Sequence, residues 1–191
     1  MGKWINNLLG KTLSKAEISP LTPADTDYQT SIAWPEEWFK GAIKTKNATG
    51  IMVTDLGPAE KEFIALAETA KQPLMDIGCA YGVATRPAIA NGARVLACDT
   101  SQEHLDILKK SIPAHWQKNL KMTTNRFPDE LVVRPGSISG ILAAQLFHFL
   151  TPDDIKKGLA LCYDCLEPGG YLWITTVTPF FPAYQPFLAT Y

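Results

Sequence analysis

The chain has 191 residues, of which 46% are hydrophobic, and its formal net charge is −1 at neutral pH. This length suits one domain with a sizeable buried core, and this apolar fraction excludes wholesale disorder. The weak net charge gives no basic field that would favour a nucleic-acid partner, and no apolar run reaches the roughly 18 residues of a membrane span. We therefore expect a cytoplasmic protein with neither a nucleic-acid partner nor stable membrane insertion.

The N-terminal segment, residues 1–54, is rich in tryptophan and has no clear hydrophobic period. Asn6 and Asn7 interrupt its first apolar run, so it does not resemble a signal peptide. A short helix near its start is more consistent with packing on its own domain than with lying on a membrane surface. This helix would place five apolar residues on one face: Trp4, Ile5, Leu8, Leu9 and Leu13. Four aromatic residues form either a lid over a binding site or an ordinary hydrophobic cluster: Tyr28, Trp34, Trp38 and Phe39.

From residue 55 onward, predicted helices and strands alternate. Asp55 is the predicted cap of a first helix with Pro58 in its first turn. Strands are predicted at 73–78 and 93–99 and within 119–127, 138–150 and 171–177, the last one after a turn at 167–170. Helices are predicted within 84–92, at 101–111 with Ser101 as cap, and from Thr151 to about Cys165. This alternation predicts an α/β fold with a doubly wound, mostly parallel sheet, whose ligand site lies beyond the carboxyl ends of the strands.

The stretch MDIGCAYG, residues 75–82, joins the first of these strands to the next helix. Gly78, Ala80 and Gly82 keep the turn free of large side chains, so a ligand can approach the backbone closely. Asp76 lies at the end of the strand, where an acid would repel a pyrophosphate but suits a cationic ligand. Asp99 ends the second strand, where an acid can accept hydrogen bonds from both hydroxyls of a ribose.

Three motifs, LMDIGCAYGVAT, VLACDTSQEHLDIL and CLEPGGYLWI, resemble the successive motifs of class I S-adenosylmethionine-dependent methyltransferases. The resemblance covers residues 55–178 and implies a Rossmann-like methyltransferase domain with S-adenosyl-L-methionine as cofactor. It places Gly78, Ala80 and Gly82 against the methionine portion, Asp76 near the amino group and Asp99 on the ribose. The ammonium and sulfonium groups of this cofactor agree with an acid at residue 76.

The chain departs from the family pattern at three places. Ala80 replaces the middle glycine and is still small. Asn125 stands after the third strand, where the family often has an acid, and its side-chain oxygen can accept the same hydrogen bond from the adenine amino group. Ser139 and Gly140 open the fourth strand in place of an acid. Thr100, next to the ribose acid, either edges the adenine or faces solvent.

No residue is firmly assigned to catalysis. Gln145 follows the fourth strand, where in the family the acceptor and the methyl donor meet, and His148 is either a general base or a packed core histidine. His104 and His115 are expected at the surface, and Tyr81 either covers the ligand or packs. The fourth strand is followed neither by an N-P-P-Y or D-P-P-Y signature nor by a cysteine. A small-molecule acceptor is therefore expected.

The four cysteines, Cys79, Cys98, Cys162 and Cys165, are expected to be buried free thiols. The C-x-x-C at 162–165 falls late in a predicted helix, whereas a redox pair should open one. A zinc site would also need a second pair of ligands, and none is evident. No metal is expected.

Two other functions stay open. The missing acids are also consistent with a non-catalytic methyltransferase-like binding protein that acts through partners. An NAD-dependent oxidoreductase is disfavoured by Asp76 and by the lack of a strict G-x-G-x-x-G.

The C-terminal tail, residues 179–191, has three prolines and five aromatic residues. Class I methyltransferases usually finish their sheet with two further strands, which so short and proline-rich a tail cannot supply. We expect the sheet to lack these strands, and the tail to cover the domain or a second copy in a homodimer. The chain is then a shortened member of the fold or a fragment of a longer protein.

Overall fold

A computed structural model describes residues 37–39, 42–46 and 51–177 of the chain. Near the N-terminus, strands β1 (Glu37–Phe39), β2 (Ala42–Lys44) and β3 (Ile51–Val53) form an antiparallel sheet in the order β1-β2-β3. These strands lie in the segment predicted as helical or as a lid, and no strand was predicted there. Each strand has only three residues, too few to show an alternating pattern.

Other predictions for the two ends of the chain fall outside the described residues. These are the helix from Trp4 to Leu13, the aromatic residues Tyr28 and Trp34, and the proline-rich tail at 179–191. The lid, the homodimer and the missing last strands therefore stay predictions.

The main sheet has five parallel strands in the order β6-β5-β4-β7-β8. They are β4 (Leu74–Ile77), β5 (Val95–Cys98), β6 (Leu120–Thr123), β7 (Ile138–Ala144) and β8 (Leu166–Thr175). Every residue of β4 and β5 is buried, as expected for central strands covered on both faces. The predicted doubly wound α/β sheet is confirmed, and its order reverses where β7 returns beside β4.

Strand β8 begins earlier than predicted, at Leu166 instead of Tyr171. The residues predicted as a turn belong to this strand, and its register against β7 shifts between Ile138 and Gly140. Gly169 adopts a φ of +83° there, a conformation that favours glycine. The Pro-Gly-Gly sequence therefore produces an irregular strand start instead of a separate turn.

In the described part of the chain, one α-helix precedes the main sheet and three connect its strands. They are α1 (Pro58–Leu66), α2 (Thr85–Ala90), α3 (Gln102–Ser111) and α4 (Pro152–Cys165). The starts predicted for α3 and α4 are confirmed: Ser101 accepts a hydrogen bond from the amide of His104, and Thr151 accepts one from the amide of Asp154. None of the described helices is long and apolar enough to cross a membrane.

The cap predicted for α1 is wrong. Pro58 is the first residue of the helix, so the cap position falls on Gly57, and Asp55 lies too early in the chain. Gly57 has no side chain that could accept a hydrogen bond from the helix. The start of α1 therefore depends on the fixed φ of proline.

The hydrophobic core lies on both faces of the main sheet. On one face, Phe63 of α1, Ile89 of α2 and Leu105 of α3 pack against the strands. On the other face, Cys162 of α4 packs with Phe127 and neighbouring residues. Because the strands are parallel, their carboxyl ends lie at the same end of the sheet. The turn after β4 and the acid after β5 lie at this end.

Candidate functional site

The turn after β4 adopts a backbone conformation that large side chains rarely allow. Gly78, Ala80 and Gly82 have φ angles of +76°, +44° and +78°. The amides of Gly78 and Cys79 both donate to the carbonyl of Cys98, at 2.8 and 3.0 Å, and tie the turn to the end of β5. Small residues in these positions reduce the strain of the turn and keep its backbone accessible to a ligand.

Asp99, directly after β5, anchors this turn. Its Oδ2 accepts a hydrogen bond from the Ala80 amide at 2.9 Å, and its Oδ1 accepts from the Ser101 amide at 2.8 Å and lies 3.1 Å from His104 Nδ1. A carboxylate offers about four acceptor positions. Among the described residues, these contacts leave one position, on Oδ2. The predicted contact with both ribose hydroxyls would need two free positions and stays a prediction.

Asp76, within β4, is a buried acid with 3% of its surface exposed. Its Oδ2 accepts a hydrogen bond of 2.6 Å from the Thr85 hydroxyl, at the start of α2. Burial raises the pKa of Asp76 to about 7, and the charges of Asp99 and Glu60 add to this, while the Thr85 hydrogen bond opposes it. A cation bound beside Asp76 would favour its ionised form.

The two residues predicted near adenine follow neighbouring strand ends. Thr100 comes after β5 and Asn125 after β6, two strands that pair in parallel up to Cys98 and Thr123, and both side chains are exposed. The side-chain amide of Asn125 donates to the carbonyl of Glu130 at 2.9 Å. This bond leaves the side-chain oxygen of Asn125 as an acceptor, as the predicted contact requires.

A second polar group lies where β7 and β8 end. Gln145, with a φ of +53°, donates its backbone amide to the carbonyl of Thr175 at 2.8 Å. His148 is exposed, and its Nδ1 lies 3.3 Å from the Thr176 hydroxyl. Partial burial lowers the pKa of His148, which favours the neutral imidazole. The alternative of a packed core histidine is therefore wrong for His148.

Glu60, in the first turn of α1, connects this group to Asp76. The Thr175 hydroxyl donates to Glu60 Oε1 at 3.2 Å, and the charge of Glu60 contributes to the raised pKa of Asp76. Glu60 was not predicted as a site residue, because an acid in a first helical turn is ordinary. Only the packing of α1 beside the strand ends brings it to the site.

Two aromatic residues beside Asp99 are buried. His104, predicted at the surface, has 1% of its surface exposed, whereas His115 is exposed as predicted. Tyr81 is fully buried, and its ring meets the His104 ring edge-on with the centroids 5.0 Å apart. Its hydroxyl donates to the carbonyl of Lys44, at the end of β2, at 3.3 Å. Tyr81 therefore packs and links the N-terminal sheet to the turn.

The expectation of buried free thiols is confirmed for Cys79, Cys98, Cys162 and Cys165. Burial raises the pKa of Cys162 to about 12 and, together with the charge of Asp164, that of Cys165 to about 11. The C-x-x-C thiols therefore stay protonated and unreactive at neutral pH. Within residues 37–39, 42–46 and 51–177, no three histidine, cysteine or acidic residues are grouped as metal ligands would be.

Comparison with known families identifies the class of this chain. A family model described as a methyltransferase domain matches residues 74–170, which include the turn, both acids and the irregular start of β8. The chain belongs to this methyltransferase-domain family. The predicted resemblance to class I methyltransferases and the predicted Rossmann-like fold are confirmed.

Individual proteins that resemble this chain have low sequence identity to it. The mitochondrial ubiquinone biosynthesis O-methyltransferase of Mus musculus is 26% identical over 106 residues, which are 54% of this chain and 28% of the relative. An S-adenosylmethionine-dependent methyltransferase from Mesorhizobium loti has a TM-score of 0.53 and 22% identity over 64% of this chain and 56% of that one. Phosphoethanolamine N-methyltransferase 1 of Haemonchus contortus has a TM-score of 0.55 and 19% identity over 65% of this chain and 27% of that one.

The chain spans only part of the length of these proteins. The chain spans 28% of the length of the mouse relative and 56% of the Mesorhizobium loti protein. At these identities, the structural similarity establishes the fold alone.

Proposed function

We propose that this chain binds S-adenosylmethionine and transfers its methyl group to a small-molecule acceptor. The proposal rests above all on the 2.9 Å hydrogen bond between the Ala80 amide and Asp99, which joins the small-residue turn to the acid after β5. Such a turn admits a ligand to the backbone, and an acid in this place suits a ribose hydroxyl. Membership of the methyltransferase-domain family supports the same ligand.

Each part of the cofactor has a candidate partner. We assign its methionine portion to the turn at 78–82, its ammonium to Asp76 and its ribose to Asp99. The side-chain oxygen of Asn125 can accept a hydrogen bond from the adenine amino group, and the exposed Thr100 can contact the edge of the ring. The residues therefore fit a cofactor that carries a cation, a ribose and an adenine.

When bound, the cofactor supplies an activated methyl group on a sulfonium. The residues at the ends of β7 and β8 would then act on the acceptor: Gln145 can orient it by hydrogen bonding, and the neutral imidazole of His148 can take a proton from it. Holding the acceptor in line with the methyl group can account for much of the rate acceleration.

The acceptor is proposed as a class only. The mouse relative is named an O-methyltransferase, and the Haemonchus contortus enzyme is an N-methyltransferase whose structure contains phosphoethanolamine and S-adenosylhomocysteine. A small hydroxyl or amine compound is consistent with both.

Calorimetric titration with S-adenosylhomocysteine and, separately, with NAD tests the proposal. We expect binding of S-adenosylhomocysteine and none of NAD. A panel of small hydroxyl and amine compounds should then include one that produces S-adenosylhomocysteine from S-adenosylmethionine. Binding of NAD alone would indicate an oxidoreductase, and binding without turnover across the panel would favour the non-catalytic alternative.

Replacement of the ribose acid should weaken cofactor binding. Asp99→Asn keeps the shape of the side chain but removes its charge, and a hydrogen bond to a charged group contributes about 1.5–3 kcal/mol. We expect the Kd for S-adenosylhomocysteine to rise by about 10–100-fold. Asp106→Asn, at an exposed acid on α3, the helix that follows Asp99, is the matched control and should leave the Kd unchanged. If the two variants bound S-adenosylhomocysteine with equal affinity, Asp99 would not belong to the binding site.

A further inference from the structure

His104 occupies an unusual place for a histidine. It lies in the first turn of α3 with 1% of its surface exposed, and its ring packs edge-on against the fully buried Tyr81. Its Nδ1 lies 3.1 Å from Oδ1 of Asp99. Because an ionised carboxylate can only accept, Nδ1 is the protonated nitrogen that donates to Asp99.

The two oxygens of Asp99 have different surroundings because of this contact. Oδ1 receives both the Ser101 amide and the His104 ring, which use its two acceptor positions. In the part of the chain that the structure describes, Oδ2 receives only the Ala80 amide and keeps one position. The side chain of Asp99 is 9% exposed, so little of the carboxylate is available to a ligand.

We propose that His104 is a positioning residue for the cofactor's ribose. Its Nδ1–H holds Oδ1 of Asp99 and turns the carboxylate so that the last acceptor position, on Oδ2, meets a ribose hydroxyl. This inference rests on the proposed function, since it assumes that Asp99 binds the ribose.

The other nitrogen of the ring favours a functional role over a structural one. His104 Nε2 is buried and has no hydrogen-bond partner within residues 37–39, 42–46 and 51–177. A buried polar atom without a partner destabilises a protein, and a leucine of similar size would avoid that loss. Residues that lower stability in this way occur preferentially where function requires them.

Two substitutions separate positioning from packing. His104→Leu keeps the packing but removes the donor, so the Kd for S-adenosylhomocysteine should rise by about 10-fold. His104→Asn places an amide N–H near the position of Nδ1 and should restore the Kd to within about 3-fold of the wild type. The melting temperature of the ligand-free Leu variant should stay unchanged or rise. His115→Leu, at an exposed histidine, is the control and should not change the Kd.

A double-variant cycle with Asp99→Asn identifies which proposal fails. In the Asp99→Asn background, His104→Leu should raise the Kd by less than about 3-fold, because the donor acts only through the Asp99 carboxylate. If Asp99→Asn alone leaves the Kd unchanged, the ribose assignment is wrong. If Asp99→Asn weakens binding but His104→Leu does not, or if His104→Asn fails to restore affinity, the positioning role is wrong and the ribose assignment stands.

Discussion

An Asp76→Asn variant is expected to be more stable than the wild-type chain above neutral pH and yet to bind S-adenosylhomocysteine more weakly. The pKa of Asp76 is raised from 3.8 to about 7, mainly because the carboxyl is buried. A pKa that is higher by one in the folded chain than in the unfolded chain corresponds to about 1.4 kcal/mol. The charged form of Asp76 therefore destabilises the ligand-free chain by roughly 4 kcal/mol near pH 8, and asparagine removes that penalty.

The sign of this effect follows from the protons that each state binds. Between about pH 4 and pH 7, the folded chain keeps a proton on Asp76 that the unfolded chain has already lost. The contribution of Asp76 to the free energy of unfolding is therefore greatest below about pH 4 and declines until the pH passes about 7. The asparagine variant should lack this decline.

Stability of the ligand-free chain favours the protonated form of Asp76, whereas cofactor binding should require the ionised form. The ammonium of S-adenosylhomocysteine interacts with the ionised acid, so binding near neutral pH should release a proton from Asp76. Titrations in two buffers with different ionisation enthalpies measure this release. Asp76→Asn should abolish it and raise the Kd by about 10–100-fold, the contribution of a charge-assisted hydrogen bond.

Asp106→Asn is again the control for both measurements, because Asp106 is exposed on α3. Urea denaturation at about pH 5 and about pH 8 gives the free energies of unfolding to compare. The difference in free energy of unfolding between the wild type and Asp76→Asn should change between these two pH values. A constant difference would contradict the raised pKa of Asp76. Full affinity of Asp76→Asn would contradict the ammonium assignment.

Gly78→Val is expected to abolish measurable cofactor binding. Gly78 adopts a φ of +76°, and a Cβ atom there would lie 3.3 Å from Leu146 Cδ1. A branched side chain would strain the turn and occupy the space through which the ligand reaches the backbone. We expect the Kd for S-adenosylhomocysteine to rise by roughly 100-fold or more, with a smaller loss of stability.

A second glycine separates backbone strain from obstruction of the site. Gly136 has a φ of +65°, lies before the amino end of β7, and has open space around a would-be Cβ atom. Gly136→Val should therefore lower the melting temperature through strain but leave the Kd unchanged. If Gly78→Val and Gly136→Val weakened S-adenosylhomocysteine binding equally, general destabilisation would explain the effect. The turn after β4 would then not be part of the binding site.

The main sheet was predictable because its signals are local. Apolar runs that end in an acid or a glycine indicated β4 and β5, and Ser101 and Thr151 marked the starts of their helices. The N-terminal strands were missed because three residues carry no period. The start of α1 was misplaced because an acid shortly before a proline resembles a helix cap.

The candidate site was predictable in its residues but not in its electrostatics. The positions of Asp76 and Asp99 follow from the strand ends, whereas the raised pKa of Asp76 depends in part on Glu60, which comes from another helix. His104 did have a local signal, since it lies four residues before the buried Leu108 on α3. Its polar side chain suggested exposure, and the contacts with Asp99 and Tyr81 explain its burial.

The buried thiols allow the opening of separate parts of this chain to be timed. Iodoacetamide reacts with a thiolate that solvent can reach, and burial shields all four sulfur atoms and raises their pKa values. Alkylation must therefore wait until the surrounding segment opens. Cys79 lies in the turn after β4, and Cys162 lies in α4. The alkylation rate of Cys79 thus reports opening of the turn, which a bound ligand would slow, while that of Cys162 reports opening of a helix on the opposite face of the sheet.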